Sequence, residues 1–202
     1  MREGIPAFRA VNALDNTQSF VSRWITGQRS PEYELSVQQS EAGNLNSGGV
    51  LMGMFAPALT PSDPHFWPSI EPGVQPLVQA IIAMKALATY TSCEGHDYRP
   101  FRQVPSELHV GIIPLLPLPF STLVRRFQGV VPLFTDSAPQ PTTMRVIPGA
   151  LRDQTSGKLD KVIDVYLCKS IGYSWNEYFD VRDRAALIAS EILASTIGEV
   201  SE

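Results

Sequence analysis

The chain has 202 residues, of which 44% are apolar and 18% are charged, and this balance excludes a wholly disordered protein. The length fits one domain, so residues 1–202 are expected to fold as a single globular unit. A net charge of −4 gives no general attraction to nucleic acids or anionic membranes, so neither is expected as a partner. Two cysteines cannot build a disulfide scaffold, and no apolar run approaches the roughly 20 residues of a membrane span. We therefore expect a cytoplasmic protein.

The first third of the chain combines one clear helix with long polar or proline-rich connections. Residues 15–27 carry an apolar stripe at helical spacing, with Asp15 as the expected N-cap and Gln18 at the capping-box position. A short strand is expected at 33–38 and a buried strand at 49–56. Long ordered or semi-ordered loops are expected at 28–48 and 57–72.

The rest of the chain alternates helices and strands. The predicted helices span 73–87, 120–128 and 174–198, and the predicted strands span 89–93, 108–115, 142–147 and 161–169. Pro76 falls in the first turn of its helix, where a missing N–H costs little, and Gly129 is expected to end the next helix. Ser174 and Glu177 form a capping box at the start of the last helix.

This order of elements predicts an α/β or α+β fold, in which helices pack on one mixed β-sheet. Neighbouring strands that are joined without a helix pair antiparallel or lie apart, so a purely parallel, doubly wound sheet is not expected. Within the last strand, Ile163, Val165 and Leu167 share one face, and Cys168 is expected to lie in the core.

One segment concentrates reactive groups at the C-terminal end of the predicted strand 89–93. Within seven consecutive residues it carries a thiol, two carboxylates, an imidazole and a guanidinium, which belong to Cys93, Glu94, Asp97, His96 and Arg99. Gly95 permits a tight turn at this point. Loops held by a rigid scaffold are where functional sites usually lie, so this turn is the candidate site.

The next predicted strand supplies a second histidine. Glu107 and His109 alternate around Leu108, so both side chains project from one face. If the two strands pair antiparallel, Cys93 and His109 lie near the same end, beneath a loop formed by residues 94–106. Cys93, His96 and His109 would then converge.

The most concrete interpretation is a thiol-dependent hydrolase or acyl-transfer enzyme with Cys93 as its nucleophile. The thiolate would be stabilised by the imidazolium of His96 or His109. The candidates for the carboxylate that orients this imidazole are Glu94, Asp97 and Glu107. Backbone N–H groups of the turn would hold a developing oxyanion.

A second interpretation is a metal-dependent enzyme. Cys93, His96 and His109 would bind zinc or iron, because Cys-x-x-His is a compact chelate. The candidates for a further ligand are His65, Asp97 and Glu107.

A third interpretation is a non-catalytic module that binds a small anionic molecule, a peptide, another protein or a second copy of this chain. Arg99 and Arg102, interleaved with Tyr98, would clamp a carboxylate or a phosphate. The residues expected to line a binding site here, with or without catalysis, are Ser92, Gly95, Asp97, Tyr98, Arg99, Arg102 and Glu107.

The turn also resembles motifs in two groups of proteins. Thr89-x-x-Ser92-Cys93-x-Gly95-His96 is similar to a T-x-x-S-C-x-G-H turn of small uncharacterised bacterial and phage proteins. More distantly, it resembles the S-C-S-G turn and the following H-V strand of the wybutosine-synthesising tRNA methyltransferase family. This resemblance covers about residues 89–129, and His96 stands where that family has arginine. It implies that Ser92, Cys93 and His109 lie at a site for S-adenosylmethionine-dependent RNA modification.

Overall fold

The computed structural model of the protein describes residues 16–30, 37–46, 59–116 and 119–197. The predicted strand at 49–56, most of the predicted strand at 33–38 and Asp15 lie outside these residues. The helices of the described part are α1 (Thr17–Thr26), α2 (Gln75–Ala83), α3 (Phe120–Ser137) and α4 (Trp175–Ile197). Its strands are β1 (Gln38–Gln39), β2 (Leu45–Asn46), β3 (Leu87–Cys93), β4 (Leu108–Pro114), β5 (Thr142–Arg152) and β6 (Leu159–Lys169).

Four strands form the central sheet in the order β3, β4, β6, β5, and each neighbouring pair is antiparallel. The prediction of an α+β domain with helices packed on a sheet is confirmed, but the described sheet is antiparallel rather than mixed. The connections explain this difference. Strands β4 and β5 run in the same direction, yet β6 returns directly from β5 and inserts between them, so the crossover through α3 creates no parallel pair.

The two faces of the sheet are covered differently. Helices α2, α3 and α4 cover one face, to which the strands contribute alternate apolar side chains such as Val110 and Val165. On the other face, Phe20 of α1 packs with Tyr90 and Leu151 in a smaller apolar cluster. No helix in the described part of the chain is long and apolar enough to cross a membrane.

The starts of α1 and α4 show the capping chemistry of their sequences. Helix α1 begins one residue after Asn16, whose side chain accepts the N–H of Ser19 at 2.7 Å, so Asn16 is the N-cap rather than Asp15. At α4 the predicted capping box is present: the Ser174 N–H donates to the Glu177 carboxylate at 2.7 Å, and the Glu177 N–H donates to the Ser174 hydroxyl at 3.3 Å.

Helix α3 is twice the predicted length, and the prediction that Gly129 ends it is wrong. The apolar stripe continues from Phe127 through Val130 to Phe134, all of them buried against the sheet side of the helix. Burial of this longer stripe outweighs the poor helix propensities of Gly129 and of Pro132, both of which lie inside the helix.

Other element boundaries also differ from the prediction. Helix α2 ends at Ala83 instead of 87, because Lys85 adopts a left-handed conformation with φ of 55° and turns the chain into β3. Strands β5 and β6 extend beyond 147 and before 161 to form a longer hairpin. Asp153 stabilises its turn, since its carboxylate accepts the N–H of Ser156 at 2.7 Å and that of Thr17 in α1 at 2.7 Å.

Candidate active site

The sheet register places Cys93 beside His109. Cys93 and His109 are Cα partners on the antiparallel strands β3 and β4, so their side chains lie on the same face, as the pairing of these strands predicts. A bulge between Thr89 and Thr91 inserts one extra residue into β3. Ser92 pairs with Val110 and lies on the opposite, helix-covered face, away from Cys93.

A tight turn follows Cys93, and its shape requires glycine at position 95. Gly95 has a φ of +82°, and a Cβ atom there would lie 2.7 Å from the backbone nitrogen of Leu108. The N–H of Gly95 points at the Cys93 sulfur, with a nitrogen–sulfur distance of 3.4 Å. The turn then returns His96 toward Cys93.

Glu71 completes a cluster with Cys93 and His96. One carboxylate oxygen of Glu71, one ring nitrogen of His96 and the sulfur of Cys93 all lie within 4.8 Å of one another. The His96 Nε2 and a Glu71 oxygen are 3.0 Å apart, and their side chains are only 3% and 6% exposed. Cys93 itself is half-buried.

Glu71 lies in the loop before α2 and is held there by backbone donors. Its carboxylate accepts the N–H of Leu45 in β2 at 2.9 Å and the N–H of Glu94 in the turn at 2.7 Å. Burial raises the pKa of Glu71, but the hydrogen bond and charge of His96, together with these N–H groups, lower it below its usual value. Glu71 is therefore an ionised, fixed partner for His96.

His96 is protonated at neutral pH. Burial lowers its pKa, but hydrogen bonding and charge interactions with Cys93 and Glu71 outweigh that effect and raise the pKa to about 10. The backbone of His96 is fixed as well. Its N–H donates to the hydroxyl of Ser106 at 2.9 Å, and its carbonyl accepts the N–H of Ser106 at 3.0 Å.

Tyr98 lies in the same buried environment. Its ring centroid is 5.7 Å from that of His96. Burial, together with charge interactions with Cys93 and Glu71, raises the pKa of Tyr98 to about 12, so it remains a neutral hydroxyl at physiological pH.

The three carboxylates predicted to orient the imidazole, those of Glu94, Asp97 and Glu107, have other partners. Glu94 accepts the N–H of Gly73 at 2.7 Å and lies 3.5 Å from Arg182 of α4. Asp97 binds a guanidinium within its own loop, and Glu107 accepts a backbone N–H from β6. The carboxylate on His96 is that of Glu71, which lies 22 residues before Cys93 in a proline-rich stretch. The only sequence signal for Glu71 is that it is an acidic residue just before a predicted helix.

The two arginines that are predicted to bind an anion, Arg99 and Arg102, have different surroundings. The guanidinium of Arg99 binds Asp97 with two contacts of 2.7 and 2.6 Å, so its charge is compensated within the loop. Arg102 is exposed at the end of a short 3-10 turn formed by Arg99–Phe101. In the described residues, neither arginine forms a hydrogen bond or an ion pair with Cys93, His96 or Glu71.

A cleft of about 450 Å³ lies between the turn and α4. Its lining includes Glu94, His96, Asp97, Phe179, Asp180 and Arg182. Arg182 also donates to the carbonyl oxygen of Gly95, which ties α4 to the turn. The cleft carries more carboxylates than cations, so it is a poor match for an anionic ligand.

His109 and Glu107 lie on the sheet face beyond the cluster. The His109 ring stacks on Tyr166 of β6, with centroids 5.4 Å apart and planes 19° from parallel. The Glu107 carboxylate accepts the N–H of Lys169 at 2.8 Å. The predicted metal ligand His109 therefore lies next to Cys93. In the described residues, however, the donor atoms close enough together to hold a metal ion belong to Glu71, Cys93 and His96.

Comparison of the chain with protein-family models, curated proteins and solved structures found no match.

Proposed function

We propose that this protein is a thiol-dependent hydrolase or acyl transferase in which Cys93 is the nucleophile. The observation that carries the proposal is the cluster of Cys93, His96 and Glu71, whose reactive atoms lie within 4.8 Å of one another. A half-buried cysteine beside a buried imidazolium–carboxylate pair has the arrangement that activates a thiol for attack.

Each group has a defined task in the reaction. The Cys93 thiolate attacks the carbonyl carbon of an acyl substrate and forms a carbon–sulfur bond. The leaving group departs with the proton of His96, which leaves a thioester on Cys93 and a neutral imidazole. Water or another acceptor then attacks the thioester, gives its proton back to His96 and releases the acyl product. Glu71 keeps the ring of His96 in place and stabilises its charge.

A backbone N–H of the turn also assists the attack by Cys93. The N–H of Gly95 faces the sulfur and helps to hold its negative charge before attack. The expected cytosolic location agrees with such chemistry, since the cytosol keeps thiols reduced.

A burst experiment tests the proposal. The Cys168→Ser protein, which retains Cys93 as its single thiol, is mixed with p-nitrophenyl acetate. We expect one equivalent of rapid p-nitrophenolate release and an acetyl group on Cys93 by peptide mass spectrometry. Cys93→Ser should lose both signals while remaining folded. A Cys168→Ser protein that shows no adduct on Cys93, or a Cys93→Ser variant with an equal burst, would contradict the proposal.

A metal enzyme is the second candidate, because sulfur, nitrogen and oxygen donors within 4.8 Å of one another suit a zinc centre with one open position. Glu71, Cys93 and His96 would hold the ion, which would supply a bound water or polarise a carbonyl. Elemental analysis of the untagged protein distinguishes the candidates. One equivalent of zinc or iron that is lost in Glu71→Gln and His96→Gln favours the metal enzyme, and metal-free protein with a reactive Cys93 excludes it.

A further inference from the structure

Four side chains form a straight row across the sheet and end at Cys93. The Cα partners are Cys93 with His109, His109 with Tyr166, and Tyr166 with Arg145 of β5. Directly opposed residues of antiparallel strands project from the same face, so all four lie on one face. The near-parallel rings of His109 and Tyr166 agree with this placement.

The row has a thiol at one edge and a cation at the other. Arg145 is exposed, and it forms no ion pair within the described part of the chain. His109, Tyr166 and Cys93 are each half-buried, so they are partly accessible to solvent. With strands about 4.8 Å apart, the backbone positions of Cys93 and Arg145 are about 14 Å apart.

Two acidic groups of this face form hydrogen bonds within the sheet. The Glu107 carboxylate accepts the N–H of Lys169. The Asp164 carboxylate accepts the hydroxyl of Tyr90 at 2.6 Å, and burial raises the pKa of Asp164 above its usual value. Arg145 is the cation at this end of the face, and no carboxylate in the described part of the chain lies within ion-pair distance of it. The cleft beside α4 is less suited to an anion, since three carboxylates and two cations line it in the described residues.

We propose that this sheet face binds the acyl substrate, and that the substrate carries an anionic group, a carboxylate, sulfonate or phosphate, at the end remote from the bond that Cys93 attacks. The assignment rests on the proposed thiol function for the role of Cys93. The anion contacts Arg145, and the middle of the molecule lies across the His109–Tyr166 ring pair, which suits a planar or apolar segment. An arginine fork binds such oxyanions better than a lysine would.

Equilibrium binding tests the surface without using the reactivity of the thiol. The probe is N-acetyl-aminoethylamino-naphthalene-sulfonate, which joins an amide, a planar ring and an anion along one chain. In the Cys93→Ser protein we expect a saturable change in its fluorescence anisotropy. Arg145→Gln should weaken this binding about tenfold, the loss that accompanies removal of one hydrogen-bonded charge.

Arg152 provides the matched control, because it is an exposed arginine at the far end of the same strand. Arg152→Gln should leave the affinity unchanged. Absence of saturable binding, or an equal loss in Arg145→Gln and Arg152→Gln, would overturn the anion site.

Alkylation of Cys93 separates this inference from the function on which it rests. In the Cys168→Ser background, the iodoacetyl form of the same sulfonate should react with saturation kinetics, and Arg145→Gln should raise only the half-saturation concentration. Neutral iodoacetamide should react at the same rate with or without Arg145. A Cys93 that resists both reagents refutes the thiol function, while a reactive Cys93 with no preference for the sulfonate refutes the substrate assignment alone.

Discussion

Gly95 is the residue that shapes the turn between Cys93 and His96. A Cβ atom at this position would meet the backbone of β4 at 2.7 Å, and the φ of +82° is unfavourable for any residue with a side chain. We expect Gly95→Ala to lower the free energy of unfolding by about 1–3 kcal/mol from backbone strain alone, and by more through the contact with Leu108.

Gly157 offers the control for this substitution. It also has a positive φ, of +71°, but a Cβ atom added to it in the β5–β6 turn would meet no other atom within 4 Å. Urea unfolding of Gly95→Ala and Gly157→Ala should show a clearly larger loss for Gly95→Ala. Equal losses would mean that the contact between a Cβ atom at position 95 and the backbone of β4 does not affect stability.

His96 links stability to pH. Its pKa is raised to about 10 in the folded chain by Cys93 and Glu71, against about 6.5 in an unfolded chain. The folded state therefore holds a proton that the unfolded state has lost. The stabilisation is complete below about pH 6.5 and disappears as the pH rises through about 10.

This linkage predicts a measurable slope. Above about pH 8.5 the cysteines of the unfolded chain are also deprotonated, so the proposed thiolate no longer offsets the extra proton on His96. From about pH 9 to about pH 10, the free energy of unfolding should therefore fall more steeply for the Cys168→Ser protein than for the same protein with His96→Gln. The groups facing His96 are Cys93, Glu71 and Tyr98, and the slope is assigned to His96 only if this substitution removes it. Parallel pH profiles of the two proteins would refute a raised pKa at His96.

Among the helices and strands, the features that depend on neighbouring residues are the ones that the sequence predicts correctly. The capping box of α4 and the antiparallel pairing that sets Cys93 opposite His109 are both present. The end of α3 was not predictable from Gly129, because burial of Val130 and Phe134 decides it and burial depends on the whole fold. Glu71 was missed for the same reason. Its link to His96 depends on how a distant loop packs against the turn.

Gly129 supplies a test of the length of α3. It lies inside the helix, and a Cβ atom added there would have open space around it for 4 Å. Gly129→Ala should therefore stabilise the protein by about 0.5–1 kcal/mol, because alanine loses less backbone entropy in a helix. Thermal unfolding measures this. Destabilisation would indicate that Gly129 ends the helix, as the local sequence predicts.

Gly111 provides the opposite case within a strand. A Cβ atom there would lie 2.5 Å from the ring of Tyr90, which crosses Gly111 to reach Asp164. Gly111→Ala should therefore destabilise the protein. Alanine at position 111 would collide with the Tyr90 ring, whereas alanine at position 129 would change only the helix propensity. The two substitutions should therefore change the stability in opposite directions.

For the whole molecule, the sheet divides structural and chemical roles between its faces. Three helices bury one face in the main apolar core. The other face is covered by α1 over part of its area and carries Cys93, His109, Tyr166 and Arg145 over the rest. The turn after β3 joins this face to the buried pair of His96 and Glu71, so a rigid sheet positions the proposed nucleophile and its charge partner together.

Activation of Cys93 by its buried partners is tested most directly by its rate of alkylation with iodoacetamide at neutral pH in the Cys168→Ser background. Hydrogen bonds to charged groups contribute about 1.5–3 kcal/mol, so His96→Gln and Glu71→Gln should each slow the reaction by about tenfold or more. Glu41→Gln, which changes an exposed acid in the β1–β2 turn, should have no effect. One common rate for all four proteins, equal to that of an unstructured cysteine peptide, would contradict an activated thiol at Cys93.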